Sequence, residues 1–241
     1  MSTDPLQLLI QSLDALKLGL PDGAAQGMIA FLDEVLEANR HLNLTSIEYP
    51  QAVTKHLVDS LAALSLEPLR GDEGPWLDLG SGAGIPGIPL ALARPGLPMI
   101  LVESTRKKGR FLEQVVEKFG LKDRVKVEDQ RAETLGRGPL REGVSQVFCR
   151  AVGSLPVLLE LAMPLLKSGG GLVAYKGPKA WEEVEKSSKA LQVLQARVDK
   201  VLEFSLPFSG ESRSLVYVKK VGKTPDAYPR LPGTPAKSPL C

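Results

Sequence analysis

Leu77-Asp78-Leu79-Gly80-Ser81-Gly82-Ala83-Gly84-Ile85-Pro86-Gly87 sets four glycines within eight residues, directly behind a short apolar run that starts at Trp76. Glycine lets the backbone turn sharply and lets a ligand lie against bare main chain, so the stretch reads as a strand, a tight turn and a helix start. A turn alone needs fewer glycines than this. Downstream, short apolar runs alternate with longer amphipathic ones. Strands are expected at Trp76–Leu79, Met99–Glu103, Val125–Glu128, Gln146–Arg150 and Gly171–Lys176, with helices starting near Gly84, Arg106, Glu133, Leu155 and Trp181. That βαβ repetition predicts an α/β fold, a parallel sheet with helices on both faces. Val198–Leu206 and Ser214–Lys220, joined through Pro207-Phe208-Ser209-Gly210, add a C-terminal antiparallel hairpin and complete a mainly parallel seven-stranded sheet.

Upstream of Pro75 the pattern is helical. Leu6, Leu9, Leu13 and Leu16 mark a first helix, and Met28, Phe31, Leu32, Val35 and Leu36 a second. Val53, Leu57, Leu61 and Leu64 mark a third, starting near Pro50. The turn-rich Gly71-Asp72-Glu73-Gly74-Pro75 closes this part. The expected organisation is an N-terminal helical subdomain (1–70), a catalytic domain (71–222) and a Pro-rich basic tail (223–241).

The 241 residues, 43% hydrophobic and 24% charged, suit one globular unit. Every apolar stretch is interrupted well short of the roughly 18 to 20 residues of a membrane span, and Met1–Ile10 carries Asp4 and Pro5 in place of a basic leader. The chain therefore reads as cytoplasmic and monomeric, with no membrane partner. Cys149 and Cys241, with His41 and His56, are too few to predict a disulfide framework or a metal site. Residues 1–74 hold 4 basic and 11 acidic side chains, and the remainder 26 and 17. An anionic partner would meet the C-terminal part.

The glycine turn admits two cofactors. Gly82-Ala83-Gly84-Ile85-Pro86-Gly87 fits the dinucleotide pattern GxGxxG, in which a helix N-terminus receives a pyrophosphate. Asp78-x-Gly80-x-Gly82-x-Gly84 also looks like the acidic turn of Rossmann-like S-adenosylmethionine-dependent methyltransferases, where a carboxylate at the strand end suits a cationic ligand better than a pyrophosphate. Glu103, ending the second strand, can accept hydrogen bonds from ribose hydroxyls in either case. The dehydrogenase reading is weakened because Tyr175 and Lys176 are adjacent and no second substrate domain follows.

Asn43-Leu44-Thr45, Lys55-His56-x2-Asp59-Ser60, the glycine turn extended through Ile88-Pro89, Arg150-Ala151 and Lys176-Gly177-Pro178 occur in an order that resembles the RsmG (GidB) family of bacterial 16S ribosomal RNA methyltransferases. The likeness spans about residues 35 to 220. It implies methyl transfer from S-adenosylmethionine to N7 of the guanosine at position 527 of 16S rRNA, leaving S-adenosylhomocysteine. Its partner would be the rRNA, the 30S subunit or an assembly intermediate. The cofactor contacts it implies are Gly80 and Ile85 at the turn, Glu103, Ser104 and Thr105 near the ribose, Ala132 and Glu133 near the adenine, and Arg150 at the mouth. The turn itself adds Asp78, Gly82 and Gly84. Arg150 is also the expected positioning residue. Another RNA, a protein or a small molecule as methyl acceptor remains the alternative, as does a binding module without catalysis.

Guanine N7 carries a lone pair and no proton, so its methylation asks for positioning and no general base. Cys149 raises the alternative of pyrimidine C5 chemistry but lacks a preceding proline, and reads as a buried strand thiol. His56, Asp59 and Ser60 share one face of a helix and cannot form a hydrolase triad. Asn43 and Thr45 fit a turn and helix cap as well as a substrate contact. Arg106, Lys107 and Lys108 just past the second strand, Lys176 after the fifth, and Arg230 in the tail are the expected RNA contacts.

Overall fold

The computed structural model describes residues 4–72 and 74–241. Glu73 of the boundary turn and the opening Met1–Thr3 lie outside them.

Seven strands form one sheet in the order β3-β2-β1-β4-β5-β7-β6. They are β1 (Trp76–Leu79), β2 (Met99–Val102), β3 (Val125–Glu128), β4 (Val144–Arg150), β5 (Leu166–Lys176), β6 (Ala196–Ser205) and β7 (Ser212–Lys220). β1 to β5 run parallel; β7 pairs antiparallel with β5 and with β6. The reversal occurs where the chain returns through a short loop, which only antiparallel neighbours permit.

Side chains alternate along each strand and divide the core in two. Trp76, Met99, Leu101, Phe148, Val173 and Tyr217 face one side, joined by Leu9, Met28, Phe31, Leu57 and Leu61 from the N-terminal helices α1 (Pro5–Ala15), α2 (Ala24–Leu42) and the segment after Pro50, and by α4 (Gly87–Ala93) and α5 (Arg106–Lys118). Leu77, Leu79, Ile100, Val102, Val147, Cys149 and Leu172 face the other, against α6 (Ala132–Arg137), α7 (Leu155–Ala162) and α9 (Ser188–Val193). The first seventy residues thus cover one face of the sheet and share its core. α9, which sequence periodicity misses, follows α8 (Ala180–Glu185) after a two-residue break.

The third N-terminal helix is irregular. It opens as a π-helical turn, Val53–Val58, continues as α3 (Asp59–Ala62) and ends as a 3₁₀ turn, Ala63–Ser65. The wide turn departs from the regular helix that the Val53-Leu57-Leu61-Leu64 spacing predicts. Such turns displace backbone groups from the usual ladder, and here the Lys55 carbonyl accepts a hydrogen bond from Arg150.

The tail is folded onto the domain. Arg141 donates to the carbonyls of Thr224 and Tyr228, Arg137 to that of Pro229, and Leu240 is buried beside α10 (Thr234–Lys237).

Candidate functional site

Parallel registration puts Leu79 level with Val102 in β2 and Cys149 in β4. Gly80, Glu103 and Arg150 therefore stand together at the carboxyl edge of the sheet, where the strand order reverses and open α/β sheets bind ligands. A cavity opens there, lined by Leu79, Gly80, Val102, Glu103, Ser104 and Gln130 through Glu133, by Val152, Val157 and Leu161, and by Gly233, Pro235 and Ala236 of the tail.

Gly80 lies at φ +73°, and a Cβ on it would meet Val152 at 2.6 Å, so this position demands glycine on both counts. Glu103 is 7% exposed. Its Oε2 accepts from the Gly82 N–H at 3.0 Å and its Oε1 from the Thr105 N–H at 2.7 Å, which ties the glycine turn to the end of β2. Each oxygen keeps a second lone pair, and Glu103 lines the cavity. Of the residues expected at the cofactor, Gly80, Glu103, Ser104, Ala132 and Glu133 line this cavity.

The other expected contacts stand behind the wall. Asp78 is wholly buried on the α4 side of β1; its Oδ2 accepts from the Gly87 N–H at 2.9 Å and its Oδ1 has no partner among the described residues. Burial pushes its carboxyl up to about 7, against the lowering pull of that hydrogen bond. A Cβ on Gly87 would meet Asp78 Oδ2 at 2.7 Å, so this carboxylate braces the turn from beneath and does not face a ligand cation. Gly84 is fixed by packing, since a Cβ there would meet Ile88 at 2.9 Å and Leu112 at 3.1 Å. Ile85 is core, Gly82 contributes its N–H to Glu103, and Thr105 does the same from outside the cavity.

Arg150 also points away from the cavity mouth, into the N-terminal helical layer. One nitrogen donates to the Lys55 carbonyl at 2.7 Å and to Asp59 Oδ2 at 3.0 Å, and the other meets His56 Nδ1 at 2.7 Å. Arg213 Nε lies 3.6 Å from Asp59 Oδ1. Burial raises the Asp59 carboxyl while Arg150 and Arg213 pull it down. Burial, aided by the Arg150 charge, lowers His56 to about 4, so the ring is neutral near pH 7. Ser60 is not part of this face: its hydroxyl donates to the His56 carbonyl.

Two expected RNA contacts are corrected. Lys176 is spent inside the fold, its Nζ donating to the Gly153 carbonyl at 2.8 Å and to Glu183 at 2.7 Å. Arg230 forks onto the fully buried Glu160, with Nε to Oε1 at 2.8 Å and a terminal nitrogen to Oε2 at 2.6 Å. Arg230 compensates a buried carboxylate, the usual condition for a carboxylate in a core, whereas Lys176 is itself nearly buried against the partly exposed Glu183. Arg106 and Lys107, by contrast, are exposed, Lys108 is half-buried, and among the described residues none of the three has a carboxylate within ion-pair range. They crowd the first turn of α5, which holds no acidic residue. Cations there oppose the helix dipole, a cost that helix stability does not explain.

Cys149 is fully buried on the α7 side of β4, and burial raises its thiol well above the usual range. It faces no ligand. Gln130, Arg131, Val152 and the tail residues of the wall carry no sequence signal beyond the position of the first two at the end of β3. Among the described residues no three His, Cys, Asp or Glu side chains gather as metal ligands, and no helix is long and apolar enough to cross a membrane.

Comparison with known proteins agrees with this geometry. Solved structures with the same fold include an O-methyltransferase from Bacillus cereus in complex with SAH (15% identity, TM-score 0.54, 79% of this chain and 90% of that one) and the tRNA methyltransferase TrmK from Bacillus subtilis (15%, 0.51, 75% and 71%). Among curated proteins named ribosomal RNA small subunit methyltransferase G, that of Pelotomaculum thermopropionicum is 43% identical over 86% of both chains. That of Deinococcus deserti is 42% identical over 100% of this chain and 98% of its own. Residues 24–216 match the family described as GidB, rRNA small subunit methyltransferase G, and with relatives this similar along nearly its whole length the chain belongs to that family.

Proposed function

We propose that the protein transfers the methyl group of S-adenosylmethionine to N7 of the guanosine at position 527 of 16S rRNA, leaving S-adenosylhomocysteine. The observation that carries the reading is the cavity at the carboxyl edge of β1 and β2, walled by Gly80, Glu103 and Ala132, in a chain of this family. The lining fits the group. The free lone pairs of Glu103 suit vicinal hydroxyls, and Val102, Ala132, Val157 and Leu161 suit a flat heterocycle. Bound there, S-adenosylmethionine supplies an electrophilic methyl group.

The chain's own task is to hold, orient and desolvate, because guanine N7 needs no deprotonation. Two features support this. The one imidazole near the cleft is locked neutral against Arg150, and the one thiol near it is buried. Arg106, Lys107 and Lys108 start beside Ser104 of the cavity wall and would meet RNA phosphates. The reading includes a cytoplasmic monomer acting on the 30S subunit or an assembly intermediate. The test is mass mapping of 7-methylguanosine in 16S rRNA from cells with and without the protein. Loss confined to the fragment containing position 527 is expected; an unchanged map defeats the reading.

A further inference from the structure

We propose that Trp181 and Phe208 are stacking platforms for unpaired bases of the substrate RNA beside the nucleotide being methylated. The inference rests on the reading of an rRNA substrate and concerns how the strand is held next to the cavity.

Both rings are left out of the core. Trp181 is 51% exposed and Phe208 68%, whereas Trp76, the only other tryptophan, is fully buried and the five other phenylalanines are buried or half-buried. Phe208 is also strained. It holds φ +63°, a left-handed conformation that glycine takes freely and a bulky residue does not. Packing does not account for an aromatic side chain there, since the ring lies mostly in solvent. Backbone strain of this kind collects at functional positions.

Their place in the fold points to the partner. Lys176, the last residue of β5, pairs with Ser214 of β7, so the β6–β7 loop that carries Phe208 stands at the carboxyl edge of the sheet. α8, which carries Trp181, starts four residues past β5 at the same edge. Along that edge the strands follow in the order β2, β1, β4, β5, β7, β6. The first-turn cations of α5 come after β2, the cavity opens at β1, β2 and β4, and the two rings come after β5 and between β6 and β7. β4 and β7 are two strand spacings apart, about 10 Å. A strand of RNA crossing this edge would meet cations on one side of the cavity and aromatic faces on the other. Both rings have fixed supports. Glu183 of α8 accepts from Lys176 Nζ and from the Leu155 N–H, each at 2.7 Å. The hairpin loop is closed by the Leu206 and Gly210 N–H groups, which donate to the Glu211 and Leu206 carbonyls at 2.9 Å.

A purine that enters the cavity leaves its stack, and each neighbouring base loses a face. Aromatic side chains replace that face, the common means of holding unpaired RNA bases. Lys179 and Lys186 stand against Glu182 and Glu185 around Trp181, so charge is balanced there and the contact falls to the ring.

The test is methylation of unmethylated 30S particles and their assembly intermediates at varied particle concentration. Trp181→Ala and Phe208→Ala should each raise KM for the particle about 5- to 150-fold, the range of one stacked base, with kcat, S-adenosylmethionine affinity and the salt slope of binding close to the parent's. Trp181→Phe and Phe208→Tyr keep a π-face and should stay near the parent. Trp181→Leu and Phe208→Leu, apolar without a π-face, should behave as the alanine variants do. Phe208→Gly should melt no lower than the parent, because glycine relieves the strain, and still share the KM defect, which separates contact from folding. Alanine variants with the parent's KM would overturn the proposal. So would leucine variants that match the aromatic ones, which would mean an apolar contact with a protein of the particle. A parent that methylates no RNA defeats both this and the reading beneath it, whereas alanine variants that match an active parent defeat this alone.

Discussion

Two buried titratable side chains flank the strand ends and pull the acid stability in opposite directions. His56 binds its proton in the unfolded chain near pH 6.5 and in the folded one only near 4, so its burial makes stability rise with pH across that interval. Asp78 behaves the other way: folded, its carboxyl titrates at about 7, unfolded near 3.8, so the folded protein holds the extra proton and stability falls as pH rises between those values. Asp78→Asn keeps an acceptor for the Gly87 N–H and removes the ionisation. Relative to the parent, this variant should gain about 4 kcal/mol of unfolding free energy between pH 4 and pH 8 in urea titrations. A pH-independent difference would place the Asp78 carboxyl at an ordinary value. Asp78 was legible as important because an acid ending a buried strand is costly. Its support role was not legible, since the choice between facing ligand and facing Gly87 depends on which side of β1 it occupies.

Elements differ in how openly the sequence announces them. β1 to β5 emerge from apolar runs punctuated by glycine and charge, and β6 with β7 from alternation around a Pro-Gly turn. The π turn at Val53–Val58 does not emerge, because one extra residue per turn leaves the leucine spacing almost unchanged while redirecting the Lys55 carbonyl and His56 towards Arg150. The first-turn cations of α5, expected from the sequence as RNA contacts, have no carboxylate partner among the described residues, which favours that contact. Changing Arg106, Lys107 and Lys108 together to alanine should flatten the salt dependence of RNA binding by about 2 to 3 units of log–log slope and leave cofactor affinity intact. Filter binding across a salt series measures it, and equal slopes would return these residues to ordinary surface. Lys176 and Arg230 show why charge counting alone misleads. Their partners, Glu183 and Glu160, are identified only by folding, and Glu160 lies 70 residues from Arg230.

At the scale of the whole molecule, the tail proves to be part of the cavity. Arg230 pairs with Glu160, the Gly233 N–H donates to Glu133 at 2.8 Å, and Gly233, Pro235 and Ala236 complete the wall. Arg230→Ala strands a buried carboxylate and should cost about 2 to 4 kcal/mol of stability. It should also weaken S-adenosylmethionine binding at least tenfold by loosening the wall. Calorimetry on the folded variant decides, and unchanged affinity would reduce the tail to a brace for α7. Composition marked this segment as a basic appendage because proline and lysine usually signal solvated chain. The carbonyl partners that Arg137 and Arg141 provide belong to the fold and are invisible to composition.

A cavity closed by residues 233–236 has an order of assembly. Synthesis runs from the N-terminus, and domains fold as they emerge. The sheet edge, the glycine turn and Glu103 are therefore all made before the wall that shuts the cavity. A growing chain can bury most of its core while still lacking this pocket. The pocket is thus finished only once residues 233–236 have been made and have docked beside Glu133.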